Sequence, residues 1–151
     1  VTSFSSLAIG DMRNAYLAIL LICLFVALVI VAYGTIRCKV PNFYDPLTYS
    51  YLPAPWNNFL DGWGISHFGF YFMLTYWYPQ NWFYIFCLGV VWELIEVVFK
   101  DHPFYLSRCN YGTDRQDDPH AKWWYGRWQD IVMNALGIAL GLALRARRAS
   151  P

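Results

Sequence analysis

Apolar residues fall in four long blocks along this chain, and the polar residues inside three of those blocks recur at helical intervals. The first block, Ala15 to Ile36, is almost unbroken and carries no charge. It is long enough to cross a hydrocarbon core, which takes about 20 helical residues. It is too long for a signal-peptide core and no small-residue cleavage pattern follows it. It reads as an anchor helix with no site of its own. The chain opens on Val1 rather than Met, as a processed or truncated form would.

Pro41, Pro46, Pro53 and Pro55 rule out a regular helix between the first block and the second. The second block runs from Phe59 to Tyr78 and stops at Pro79, and the third runs from Trp82 to Phe99. The turn between them is so short that the two must pack antiparallel. A long polar stretch, Lys100 to Arg127, precedes the fourth block from Trp128 to Leu144, which ends on Arg145, Arg147 and Arg148. The pattern predicts an all-α integral membrane bundle of about four transmembrane helices. Residues 1–14 form an N-terminal segment and 15–151 one transmembrane domain, with spans at 15–36, 59–78, 82–99 and 128–144. There is no internal repeat and no low-complexity tract.

Composition agrees with a membrane class: 58% of residues are hydrophobic, 21% aromatic and only 14% charged. With no basic block, nucleic acid is excluded as a partner, and the aromatics suit an interfacial belt instead. Lys and Arg occur at both ends of the spans, so the positive-inside rule leaves the orientation open. Neither the endoplasmic reticulum nor the mitochondrial inner membrane is preferred.

The polar residues inside the blocks lie at one depth. Counting from the polar-loop side at about 1.5 Å per residue, His67 lies roughly 12 Å in, Glu93 and Asn134 about 9 Å, Glu96 about 5 Å and Asp130 about 3 Å. Ionisable side chains in hydrocarbon are costly and mark function by default. Glu93 and Glu96 are i, i+3 and share a face. Asp130, Asn134, Gly137 and Gly141 form one stripe, with glycines that admit a close neighbour. On the second helix, Gly64, His67, Tyr71 and Thr75 make a polar stripe, and Gly62, Ser66 and Gly69 a small packing face.

The residue types suggest a division of labour. Glu93, Glu96 and Asp130 are hard oxygen ligands suited to Ca²⁺ or Mg²⁺. His67 is the natural general base, with Glu93 and Asp130 as further catalytic candidates. Asn134, Tyr71 and Glu96 could hold a substrate or lipid headgroup. Together they suit attack on a phosphodiester near the membrane surface. The plainer alternative is that these groups hydrogen-bond to one another and hold the bundle together.

Other features are expected to be structural. Asp114, Asp117, Asp118 and His120 fit a solvated loop surface, and Trp123, Trp124 and Trp128 fit the headgroup level. Cys23 and Cys87 are expected to be buried and inert. Cys38 and Cys109 fall on one side and could pair if that side is oxidising.

Asp61-x5-His67-Phe68, Trp92-Glu93-Leu94-Ile95-Glu96, the Trp123-Trp124 pair, and Asp130, Asn134, Gly137 and Gly141 resemble the core of the eukaryotic base-exchange phosphatidylserine synthases. The resemblance covers roughly Asp61 to Gly141. It implies headgroup exchange on phosphatidylcholine or phosphatidylethanolamine without a CDP-alcohol. Ca²⁺ would be required, His67 would be the base, and Glu93, Glu96 and Asp130 would hold metal and headgroup. The chain departs from that pattern at Ala121, Lys122 and Tyr125, where the family is acidic around its Trp pair. The stretch DIVMNALGIALG is also similar to the VanZ-like family of small membrane proteins associated with teicoplanin resistance.

Two functional classes follow. One is a phosphatidylserine synthase-like protein that binds a phospholipid headgroup and Ca²⁺. The other is a non-catalytic subunit of a large membrane assembly that keeps a decayed lipid pocket and contacts other membrane subunits or second copies of the chain. Missing acids near Trp124 favour the second, and intact His67, Glu93, Glu96 and Asp130 favour the first.

Overall fold

The computed structural model describes residues 3–40, 45–53, 60–99 and 126–149. Four helices account for most of them: α1 (Ser3–Lys39), α2 (Gly62–Trp77), α3 (Trp82–Phe99) and α4 (Trp128–Ala149). No strand occurs among the described residues; short 3-10 turns lie at Pro46–Thr48 and at Pro79–Asn81, the second running directly into α3. The all-α prediction holds.

Three stretches are long and apolar enough to cross a membrane: Arg13–Arg37 in α1, Pro79–Phe99 with α3, and Trp128–Arg148 in α4. That is compatible with an integral membrane protein. The helix in the stretch predicted as a span at 59–78, α2, is shorter than the other three, with 16 residues. At about 1.5 Å per residue it covers roughly 24 Å, short of the ~30 Å core. Local chemistry sets both of its ends. The Asp61 carboxylate accepts the Gly64 N–H at 2.8 Å as an N-cap, and Pro79 opens the 3-10 turn that ends it. α1 begins at Ser3, ahead of its apolar span.

The helices run up and down, and α2 packs most closely on α4. A Cβ on Gly137 would collide with the Phe68 carbonyl oxygen, and one on Gly141 would lie 2.9 Å from the Phe72 carbonyl oxygen. The α4 glycine stripe therefore seats the backbone of α2 directly, as the spacing predicted. The small face expected on α2 does not serve that purpose. Gly62 packs on Leu47, but Ser66 is exposed and nothing lies within 4 Å of a Cβ built on Gly69. The helix is instead rotated to put Phe68, Phe72 and Tyr76 against α4.

The apolar core is small: Ile19 of α1, Tyr71 and Leu74 of α2, Ile85 of α3 and Ile138 of α4. Large apolar residues point outward instead, among them Phe25 and Leu28 of α1 and Phe83 and Val98 of α3. Such a surface is unsuited to water but ordinary against lipid tails. Only 6% of the α1 span is buried. Contacts near both ends fasten that helix. Tyr16 meets Tyr84 edge-on at 5.0 Å. Near its other end, Tyr33 and Arg37 reach the buried Asp45, at 2.7 Å and 3.2 Å. Cys23 is half-buried, but Cys87 is exposed on the outer face of α3, against expectation. Cys109, Asp114, Asp117, Asp118, His120, Trp123 and Trp124 lie outside the described residues, so the Cys38–Cys109 pairing does too.

Candidate functional site

Three helices deliver polar groups to one buried place near the ends of α2, α3 and α4 that carry Gly62, Phe99 and Trp128. His67 comes from α2, Glu93 from α3, and Asp130 and Asn134 from α4. Glu93, Asp130 and Asn134 are 3%, 4% and 1% exposed. One ligand atom from each of His67, Glu93 and Asp130 lies within 4.8 Å of the others. Equal depth on separate helices thus becomes contact.

His67 has a defined orientation. Its Nδ1 lies 3.0 Å from Asn134 Oδ1 and 3.6 Å from Glu93 Oε1. The Asn134 amide oxygen can only accept, so in this contact Nδ1 carries the proton. Nε2 then keeps its lone pair and is the basic nitrogen. Tyr71 lies alongside the imidazole, with ring centres 6.3 Å apart and planes 17° apart. A Cβ on Gly89 would come within 2.9 Å of both the Tyr71 hydroxyl and Asn134 Nδ2, so the glycine makes room for both.

Arg127 organises the rest, and nothing in the sequence reading singled it out. Its guanidinium donates to Asp61 from Nη1 at 2.7 Å and from Nη2 at 3.1 Å. It donates to Asp130 from Nε at 3.0 Å and from Nη2 at 3.3 Å. Its backbone N–H donates to Glu93 Oε2 at 3.0 Å. One residue therefore ties the start of α2, the middle of α3 and the first turn of α4. Gly126, just before it, lies against α3, where a Cβ would collide with the Glu93 carbonyl oxygen. Two signals in the sequence could have found these partners. An arginine three residues before an aspartate at a helix start can fold back onto it, and Asp61 before Gly62 is an N-cap pattern.

Two atoms of the site lack a hydrogen-bond partner among the described residues: Glu93 Oε1, facing His67, and Asn134 Nδ2. Buried polar atoms are rarely left unpaired, so these are places where a ligand or water gains most. Glu96 stands apart. It is absent from the close group of ligand atoms and is hydrogen-bonded by the Trp92 side chain.

The donor set suits Ca²⁺ poorly. Ca²⁺ takes six to eight oxygens at about 2.3–2.6 Å. The close group contains one imidazole and two carboxylates, and both oxygens of Asp130 already accept from Arg127. Comparison of the chain with protein-family models, curated proteins and solved structures finds no match.

Proposed function

We propose that this cluster is a phospholipid headgroup site of the phosphatidylserine synthase-like kind, with His67 as general base for headgroup exchange. The observation that carries the reading is the orientation of His67, held through Nδ1 by Asn134 beside the Glu93 carboxylate, with Nε2 left basic. The charge balance supports it. Asp61 and Asp130 share one guanidinium and Glu93 accepts the backbone N–H of the same residue, so three acids surround a single cation and the place suits a positively charged headgroup better than a further acid.

In the proposed reaction, Nε2 of His67 takes the proton from the hydroxyl of an incoming amino alcohol such as serine. The hydroxyl oxygen forms a bond to the lipid phosphorus, and the bond from phosphorus to the outgoing alcohol breaks. His67 then returns the proton to that leaving oxygen. Glu93 stabilises the imidazolium formed in between, and no step passes through Ca²⁺.

The test is incorporation of labelled serine by protein reconstituted in vesicles of phosphatidylcholine and phosphatidylethanolamine. His67→Ala should lower the rate at least about 100-fold. Full activity in His67→Ala, or in Glu93→Gln, would remove the assignment. One observation favours the non-catalytic reading, namely the exposed apolar length of α1, which a partner subunit could cover. No incorporation, with phospholipid still co-purifying, would select that reading.

A further inference from the structure

Arg127 spends four guanidinium hydrogen bonds on two buried carboxylates that come from different helix starts. A divalent ion between Asp61 and Asp130 would meet the same oxygens. We infer that the Arg127 guanidinium is the resident cation of this site. It sits between Asp61 and Asp130 and engages both oxygens of Asp130, one of the three acids to which the resemblance gives Ca²⁺, so the site needs no divalent ion.

Three observations carry this. The planar fork serves both carboxylates at once, which a lysine ammonium on a flexible stem cannot do. The Arg127 backbone is held as firmly as its side chain, by its bond to Glu93 Oε2 and by the close seating of Gly126 on α3. His67 Nδ1 is already bonded to Asn134 Oδ1, and the acceptor left over among these groups, Glu93 Oε1, is too little for an oxygen-rich ion. Arg127 is accordingly a positioning residue. It holds Asp130 and Glu93 around His67 and does not itself touch the reacting atoms.

The inference rests on the headgroup reading, but its test reads the ion and not the lipid. The full chain in bilayer discs is unfolded by heat, followed by tryptophan fluorescence, with EDTA, with Ca²⁺ and with Mn²⁺. The wild-type midpoint should be the same in all three. Arg127→Gln should melt lower, and either ion at a hundredfold excess over its Kd should raise its midpoint by at least about 5 °C. Adding Asp130→Asn should abolish that rise. A wild-type midpoint that rises with Ca²⁺ or Mn²⁺ and stops doing so in Asp130→Asn would overturn the inference. So would a folded Arg127→Gln that ignores both ions. If Arg127→Gln does not fold, the wild-type titration still decides, together with Arg127→Lys. That variant keeps the charge but loses the fork, and an ion response in it would also count against the inference. Failure of the headgroup reading shows separately, as absent serine incorporation.

Discussion

Two buried aspartate centres lie near the same end of this protein, and they are finished differently. Asp45 sits where the Pro46–Thr48 turn meets α1 and α2. It accepts from the Tyr33 hydroxyl at 2.7 Å, the Leu47 N–H at 2.9 Å and the Trp63 indole at 3.4 Å, and pairs with Arg37 at 3.2 Å. Both of its oxygens are engaged. The Arg127 centre also neutralises buried carboxylates, yet beside it Glu93 Oε1 and Asn134 Nδ2 have no hydrogen-bond partner among the described residues. A hub that only joins helices gains by satisfying every atom, because each unsatisfied buried group costs about 1–3 kcal/mol. Leaving two of them open next to an oriented histidine is what a binding site requires. Asp45 is the fastening of α1, and Glu93 with Asn134 is the open face.

The largest effect expected from breaking this contrast is at Arg127. Arg127→Met would strand Asp61 and Asp130 without their counter-charge, and removing one partner of a buried pair costs about 3–5 kcal/mol. Reversible unfolding in mixed micelles would measure it, and a loss below about 1 kcal/mol would mean the pairs are solvated. Next comes Gly137→Val, which must force α2 and α4 apart at Phe68, at a cost of about 1–3 kcal/mol typical of overpacking. Crosslinking between cysteines placed on the two helices would fall with it.

Asp45→Asn should cost a similar 1–3 kcal/mol, roughly what a broken buried hydrogen-bond centre loses. It should leave headgroup exchange at the wild-type rate, and a large loss of exchange would erase the distinction between the two centres. The smallest stability effect belongs to Glu93→Gln, estimated at no more than about 1 kcal/mol. The oxygen it alters has no bond to lose, and the variant removes a charge from a buried place. Its effect should appear in exchange instead, and a strongly destabilised Glu93→Gln would mean that Glu93 is part of the fastening.

Much of the site was legible because depth and face are properties of single helices. His67, Glu93, Asp130 and Asn134 were placed at one level by counting residues, and contact followed. The α4 stripe was likewise readable, since Gly137 and Gly141 could only serve a close neighbour. Less legible was which face that neighbour would offer. The small residues of α2 looked suited, but the backbone at Phe68 and Phe72 took the position. Glu96 shares a face with Glu93 by spacing, yet it stays out of the group because the approach of α4 centres on Glu93 through Arg127.

By itself, then, the sequence determined the helices, their approximate ends, the outward apolar surface and the common depth of the polar residues. Each of these depends on a repeat of 3.6 residues or on local chemistry at a proline or a cap. The tertiary structure alone decided that Arg127 would reach Asp61 across 66 residues of chain. It also decided that His67 would be oriented by Asn134, and that α2 would be held mainly by α4. Periodicity fixes where a side chain points around its own axis. It carries no information about which helix stands opposite, and the pairing of charges between helices is settled only when they pack.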